Sequence, residues 1–142
     1  VGRYGLKNKE ELWRAQSQLR DYRRDARNLL AQFEEDGTTE RFLSRLQRYG
    51  ILGDQDSLDD VLSLDVTDVL ERRLQTVVYR KGYANTPEQA RQFIVHGHIE
   101  LDGQRVTRPS MKVETAVESS VGFDENSSLS DELHPERAEE QE

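Results

Sequence analysis

The fold of this chain is decided by residues 70–106, which read LERRLQTVVYRKGYANTPEQARQFIVHGHIELDGQRV. The first part of this stretch carries apolar residues at positions i, i+4, i+7 and i+8, namely Leu70, Leu74, Val77 and Val78. This spacing places the four side chains on one face of an α-helix. It predicts a single helix that begins near Asp68 and ends at Gly82, because glycine readily adopts the left-handed conformation that closes a helix.

A second helix is predicted to begin at Thr86, whose hydroxyl can cap a helix N-terminus. Pro87 suits the first helical position, and Gln89 lies three residues after the threonine, which completes a capping box. The helix should end at Gly97 and should turn three apolar residues inward: Ala90, Phe93 and Ile94.

A small antiparallel sheet is predicted to follow. From His98 the hydrophobic pattern has a period of two, and Asp102-Gly103 is a favoured type I′ hairpin turn. A return strand should occupy residues 104–106, and a last strand should lie around residues 111–113. Residues 68–113 are therefore predicted to form a module of two short helices and a sheet.

The preceding part of the chain is predicted to be mainly helical. A long amphipathic helix should run from about Lys9 to Phe33, a short helix from Thr38 to Tyr49, and one further helical turn should include residues 58–62. We therefore predict an α+β fold in three parts. They are a mainly helical packing and binding region at residues 1–67, the two-helix and sheet module at residues 68–113, and an acidic, disordered tail at residues 114–142.

The distribution of charge indicates a nucleic-acid partner, although the net charge is -8. Residues 1–33 carry eight basic and four acidic side chains, and residues 69–113 carry eight against four as well, so each segment has a net charge of +4. Residues 34–68 carry -7 and residues 114–142 carry -9. Two basic segments are thus masked by two acidic ones, and clustered cations are what phosphate binding requires.

The composition leaves two explanations open. Sixteen of the 20 basic residues are arginine, whose planar guanidinium group pairs with phosphate and stacks on bases. Abundant acidic residues with little lysine are equally what a cytoplasm of high salt favours, because a strongly charged surface keeps a protein dissolved there. The arginine runs could also be a solvated helix face with internal ion pairs, since Asp21 and Asp25 lie within one turn of them.

Several classes of protein are excluded. There is no cysteine, and the two histidines of His96-Gly97-His98 have only His134 as a further partner, so we predict no metal site and no cofactor. No arrangement of nucleophile, base and phosphate loop can be assembled, and we predict that the chain is not an enzyme. No apolar run is long enough for a membrane span. We expect a cytoplasmic protein, and because residue 1 is valine we expect further natural sequence before it.

The same residues resemble a known family. The run Arg73-Leu74, Gly82, Ala84, Thr86, Ala90-Arg91, His96-Gly97-His98-Ile99, Gly103, Val106 and Pro109-Ser110 is similar to the RNA-binding domain named after the fourth protein of the small ribosomal subunit. The flanks Gly2-Arg3-Tyr4-Gly5-Leu6-Lys7-Asn8-Lys9, Glu11-Leu12-Trp13-Arg14, Leu58-Asp59-Asp60-Val61-Leu62 and Leu70-Glu71-Arg72-Arg73-Leu74-Gln75-Thr76 resemble the archaeal and eukaryotic branch of that ribosomal protein family. The resemblance spans about residues 2–113. The family often has asparagine at the position of Asp102.

The resemblance implies a structural protein of the small ribosomal subunit, located on cytoplasmic ribosomes. It implies binding to the 5′ domain of small-subunit rRNA during assembly, contact with the fifth small-subunit protein and with messenger RNA near the channel through which it enters, and a role in translational accuracy. Because the same domain also occurs in RNA-modification enzymes, the alternative is an RNA-guiding subunit or fragment of such an enzyme. An acidic interaction scaffold that never touches RNA is a third possibility.

We predict RNA contacts from the basic side chains of residues 1–33 and 69–113, from the His-Gly-His corner, and from polar residues in the segments that carry the resemblance. These candidates are Arg3, Tyr4, Lys7, Lys9, Arg14, Arg20, Arg23, Arg24, Arg27, Arg72, Arg73, Arg80, Lys81, Thr86, Gln89, Arg91, His96, His98, Arg105, Arg108 and Lys112.

Overall fold

The computed structural model describes residues 3–32, 37–125 and 127, and it confirms the α+β class. The helices are α1 (Lys9–Ala31), α2 (Thr38–Arg48), α3 (Leu58–Leu62), α4 (Val66–Leu70), α5 (Leu74–Arg80) and α6 (Pro87–Val95). The strands are β1 (Ile99–Leu101), β2 (Gln104–Arg105) and β3 (Gly122–Phe123), and a 3-10 turn at Glu118–Ser120 precedes β3.

The long N-terminal helix forms where its apolar stripe predicts it. Asn8 caps the first turn by accepting a hydrogen bond from the backbone N–H of Glu11. One face of α1 is buried against the following helices through Ala15, Leu19, Tyr22 and Ala26. The predicted end at Phe33 lies outside the described residues.

The predicted single helix from Asp68 to Gly82 is wrong, because the chain breaks it into α4 and α5. Arg73 has an extended backbone, with φ -70° and ψ 144°, and pairs as an isolated bridge with Lys112. Leu74 N–H then donates to Met111 O at 2.7 Å. Residues 111–113, predicted as a strand of the sheet, are instead used to bridge this break. A pairing partner almost 40 residues away therefore overrides the continuous helical pattern of the sequence.

The Thr86 cap, Pro87 at the helix start and the hairpin turn are confirmed, but the predicted capping box does not close on Thr86, because the Gln89 side chain bonds the preceding residue instead. Thr86 accepts a hydrogen bond from Gln89 N–H at 3.0 Å, and the Gln89 side chain accepts one from the backbone N–H of Asn85. Asp102 and Gly103 both have positive φ, 53° and 78°, as a type I′ turn requires. Aspartate tolerates this conformation better than most residues, so the turn forms without asparagine.

The third strand of the sheet comes from the segment predicted to be a disordered tail. The strand order is β2-β1-β3, all antiparallel, with Ile99 opposite Phe123 and Glu100 opposite Gly122. Val121 is only 2% exposed, and Asp124 N–H donates to His98 O at 2.7 Å. The prediction of a disordered tail at residues 114–142 is thus wrong up to residue 124. Most of the remaining tail lies outside the described residues.

Two separate apolar cores divide the molecule. The first contains the buried side chains of residues 4–70, from α1 to α4, and the second those of residues 74–121, from α5 to the start of β3. The division lies close to the predicted boundary between residues 67 and 68. That the two parts are separate domains stays a prediction. Polar contacts between the two cores, described below, join them.

Candidate nucleic-acid interface

A partly buried ion cluster, in which only Arg73 is fully enclosed, joins the two cores. Glu11 on α1 accepts hydrogen bonds from Arg91 on α6, at 2.6 and 2.5 Å, and is paired with Arg73 at 3.5 Å. Arg73 is 6% exposed and also donates to the side chain of Gln75 at 3.1 Å. Two of the arginines predicted to contact RNA are therefore paired with a carboxylate of their own chain.

The cluster also sets the charge state of its carboxylate. Burial by itself would raise the pKa of Glu11, but the hydrogen bonds from Arg91 and the backbone of Lys7, with the charges of Arg73 and Arg91, outweigh burial and hold this pKa below its ordinary value. Burial lowers the pKa of Arg73, and the negative charge of Glu11 opposes that change. The pKa of Glu11 thus depends on the charge of Arg73, and the pKa of Arg73 depends on the charge of Glu11.

Further polar bonds cross the same seam. Gln75 is fully buried and donates to Gly5 O at 2.9 Å and to Pro87 O at 2.8 Å. Tyr4 is 7% exposed and donates its hydroxyl proton to Glu71 at 3.2 Å. The ring of Tyr4, predicted to contact RNA, is therefore packed inside the first core.

Arg72 is turned inward as well. It donates from Nε to Tyr49 O at 2.7 Å, from Nη2 to Val113 O at 2.8 Å and from Nη1 to Glu118 at 2.9 Å. One guanidinium group thus ties the end of α2 to the segment before β3. Its side chain is only 14% exposed.

Four more candidates serve contacts within the chain. Arg23 donates to Leu64 O, and Lys112 donates to the hydroxyl of Tyr22 at 3.0 Å. Thr86 and Gln89 cap α6, as described above. These four join Tyr4, Arg72, Arg73 and Arg91 as predicted RNA contacts whose hydrogen bonds stabilise the fold.

Most of the other predicted cations are exposed. On α1 they form a stripe, because at 3.6 residues per turn Lys9, Arg20, Arg24 and Arg27 fall within about 80° of one another around the axis. The stripe lies roughly opposite the buried face and is about 27 Å long. Exposed side chains elsewhere, or at the edges of this face, are Arg3, Lys7, Arg14, Arg80, Lys81, His96, Arg105 and Arg108. Several have partners of their own within the chain, such as Glu71, which accepts two hydrogen bonds from Arg80 at 2.9 and 3.4 Å.

The His-Gly-His corner joins α6 to β1. His96 is exposed, whereas His98 is half-buried, packs edge-on against Phe93 and forms a hydrogen bond with Ser127 through Nδ1. The side chain of Arg105 lies across Gly97, where an added Cβ would be 3.2 Å from Arg105 Cδ. The corner therefore brings His96 and Arg105 to one surface, while His98 mainly stabilises the sheet.

Neither a metal site nor a membrane-spanning helix is found among the residues that the structure describes. Within residues 3–32, 37–125 and 127, no three His, Asp or Glu side chains are grouped closely enough to hold a metal ion. Among the helices of this same portion, none combines the length and apolar composition that a membrane crossing needs.

Sequence reasoning missed the acidic partners of the arginines, and it missed one exposed aromatic residue. Glu11, Glu71 and Glu118 neutralise arginines that are 9 to 80 residues away along the chain. No local pattern marks such pairs. Trp13 is 58% exposed, and its position on the outer face of α1 could have been read from the helical spacing.

Comparison with known proteins gives a family model and a set of relatives. The model described as the S4 domain matches residues 72–118, which is the segment from Arg72 to the 3-10 turn. That segment contains α5, α6, β1 and β2. The match ends before β3, so the strand that completes the sheet lies outside the matched residues.

The relatives match nearly the whole chain. A protein of Haloarcula marismortui named small ribosomal subunit protein uS4 is 82% identical over 100% of this chain and 84% of its own length. Proteins of the same name are 66% identical in Halobacterium salinarum, over 97% of this chain and 81% of the relative, and 51% identical in Methanococcus maripaludis, over 95% and 78%.

Proposed function

The chain belongs to the family of small ribosomal subunit protein uS4, and from this membership we propose that it binds the 5′ domain of small-subunit rRNA during assembly. As a member it is a structural component of the small ribosomal subunit and not an enzyme. We propose further that it lies beside the fifth small-subunit protein, near the channel through which messenger RNA enters, and contributes to translational accuracy.

The observation that carries the proposal is the cationic stripe of α1, formed by Lys9, Arg20, Arg24 and Arg27. Its side chains are exposed, and among the residues that the structure describes its close acidic partners are Asp21 and Asp25, which pair with Arg24 at 3.4 and 3.7 Å. Exposed ion pairs of this kind contribute little energy and exchange readily for phosphate contacts. A row of cations about 27 Å long fits the backbone of a folded RNA better than a single small ligand.

A second group of contacts is proposed at the corner of the module. His96 and Arg105 share a surface there, with Arg108 exposed on the segment that leaves β2. The pairing of Arg105 with Asp124 at 3.7 Å is loose, and the arginine side chain is 54% exposed. We propose that α1 and this corner contact RNA, while Arg72, Arg73 and Arg91 hold the two cores at the angle that the RNA requires.

The alternative of a guiding subunit of an RNA-modification enzyme is not supported. The relatives named above extend over 95% or more of this chain and carry a ribosomal name. A scaffold that never touches RNA is disfavoured by the S4 domain match.

Binding to a transcript of the 5′ domain tests the proposal. The triple variant R20Q/R24Q/R27Q should bind more weakly, and the slope of log K against log salt should fall by roughly two to three, because each lost phosphate contact removes about one unit. The matched control R41Q/R45Q/R48Q removes the same charge from α2 and should leave the slope unchanged. Equal slopes for both triples, or tighter binding of the wild type to a transcript of the remaining rRNA, would contradict the proposal.

Salt should also govern folding, because the first core is covered by acidic residues. Asp54, Asp59, Asp60, Asp65 and Asp68 are all exposed, between α2 and the end of α4. Salt at molar concentration screens the repulsion between these carboxylates, because the Debye length is then about 3 Å. In 0.01 M salt the Debye length is about 30 Å, so the repulsion extends across the whole acidic surface. We expect circular dichroism to show loss of helix on dialysis to low KCl and recovery in molar KCl. A signal that stays constant would mean that the acidity is no adaptation to salt.

A further inference from the structure

Trp13 is the largest exposed apolar side chain among the residues that the structure describes. It is 58% exposed, although it lies in the second turn of a well-formed helix whose other large apolar residues mostly face the core. An indole ring that is exposed to solvent contributes little to the stability of the fold. It is typical of a surface that is covered by a partner.

The position of Trp13 on α1 favours nucleic acid as that partner. At 3.6 residues per turn, Trp13 lies on the same face as Lys9, one turn before it, and Arg20, two turns after it. The cationic stripe therefore continues on both sides of the ring. A protein partner would have to bury these cations or neutralise them, whereas RNA presents phosphates to the stripe and base faces to the indole.

The surroundings of the ring suit a base more than a phosphate. A shallow depression beside Trp13 is lined by Glu10, Arg14, Ser17, Gln18 and Asp21. Two carboxylates at its rim repel phosphate, but they accept hydrogen bonds from the amino groups of bases. Ser17 and Gln18 add groups that both donate and accept. The cationic stripe and this depression thus lie side by side on α1, with Trp13 at the edge where they meet.

We propose that Trp13 stacks on an unpaired base of the rRNA while the cationic stripe of α1 follows the adjoining backbone. The proposal rests on the rRNA binding proposed above and adds a base-stacking residue to it. Stacking of an aromatic side chain on one base accounts for roughly a 5- to 150-fold change in affinity when the residue is replaced by alanine.

The experiment uses the fact that this chain has one tryptophan, so its fluorescence reports on Trp13 alone. The full chain is titrated in molar KCl with a transcript of the small-subunit rRNA of Haloarcula marismortui, and binding is measured separately by filter retention. We expect emission to be quenched on binding and the ring to be protected from acrylamide. W13A should bind roughly 5- to 150-fold more weakly, and W13F should recover most of that loss.

Two controls separate the possible failures. L30A removes another exposed apolar side chain of α1, 43% exposed and off the cationic stripe, and should bind like the wild type. Circular dichroism should show equal melting temperatures for W13A and the wild type, since the ring is outside the core. Wild-type binding with W13A affinity within twofold, or with Trp13 still open to acrylamide, overturns the stacking proposal and leaves rRNA binding standing. Failure of the wild type to bind overturns both.

Discussion

Replacing Glu11 by glutamine is expected to lower the free energy of unfolding by about 3 kcal/mol, because it removes the carboxylate partner of a buried cation, Arg73, and leaves that charge uncompensated. Arg73 would then be left 6% exposed and next to a second cation, Arg91. Urea unfolding in molar KCl measures the loss. Because Glu11 joins the two cores, we expect the S4 domain segment to lose its contact with α1 before it unfolds itself.

The adjacent residue supplies the control. Glu10 is 67% exposed in its side chain and lies 4.0 Å from Arg14, so E10Q should change the free energy of unfolding by less than about 0.5 kcal/mol. Equal stability of E11Q and the wild type would show that the cluster does not hold the cores together.

The stabilisation by Glu11 should depend on pH in one direction only. The folded-state pKa of Glu11 lies below its unfolded value, so its contribution is fully present above about pH 5 and is lost as pH falls through the folded-state pKa. The difference in stability between the wild type and E11Q should therefore be constant near neutrality and should shrink in acid.

Replacing Arg72 by alanine is expected to cost about 2 to 4 kcal/mol of stability, since three charge-assisted hydrogen bonds are lost and two partly buried carbonyls lose the guanidinium as their donor. R72K should not recover the loss, because an ammonium group cannot reproduce a planar fork with three separate acceptors. Thermal unfolding by circular dichroism measures both variants. Any loss of RNA binding by R72A should therefore be proportional to the fraction of the protein that is unfolded.

Arg24 is the matched control for Arg72. It is 62% exposed in its side chain and pairs with Asp21 and Asp25 at the surface, so R24A should leave the melting temperature nearly unchanged while lowering the salt slope of RNA binding. If R72A melts like the wild type and lowers the salt slope by about one, then Arg72 contacts phosphate, and the prediction that it stabilises the fold is wrong.

Short-range signals were sufficient for most of the helices and for the hairpin. Thr86 with Pro87 starts α6, and Asp102-Gly103 makes the type I′ turn, because caps and turns depend on groups within about four residues. The same is true of the face of α1 that turns to solvent. The cationic stripe could therefore be predicted from the sequence, together with the family that the chain belongs to.

Tertiary structure alone decided which arginines remain open to a partner. Arg73 and Arg91 meet a carboxylate 62 and 80 residues away, and Arg72 meets Glu118, 46 residues away. Pairing over such distances leaves no period or spacing in the sequence. The sequence therefore cannot distinguish an arginine that is paired between the two cores from one that is exposed on the surface. The break at Arg73 and the third strand at Gly122–Phe123 were hidden for the same reason, because each is fixed by backbone hydrogen bonds to a segment that is far away along the chain.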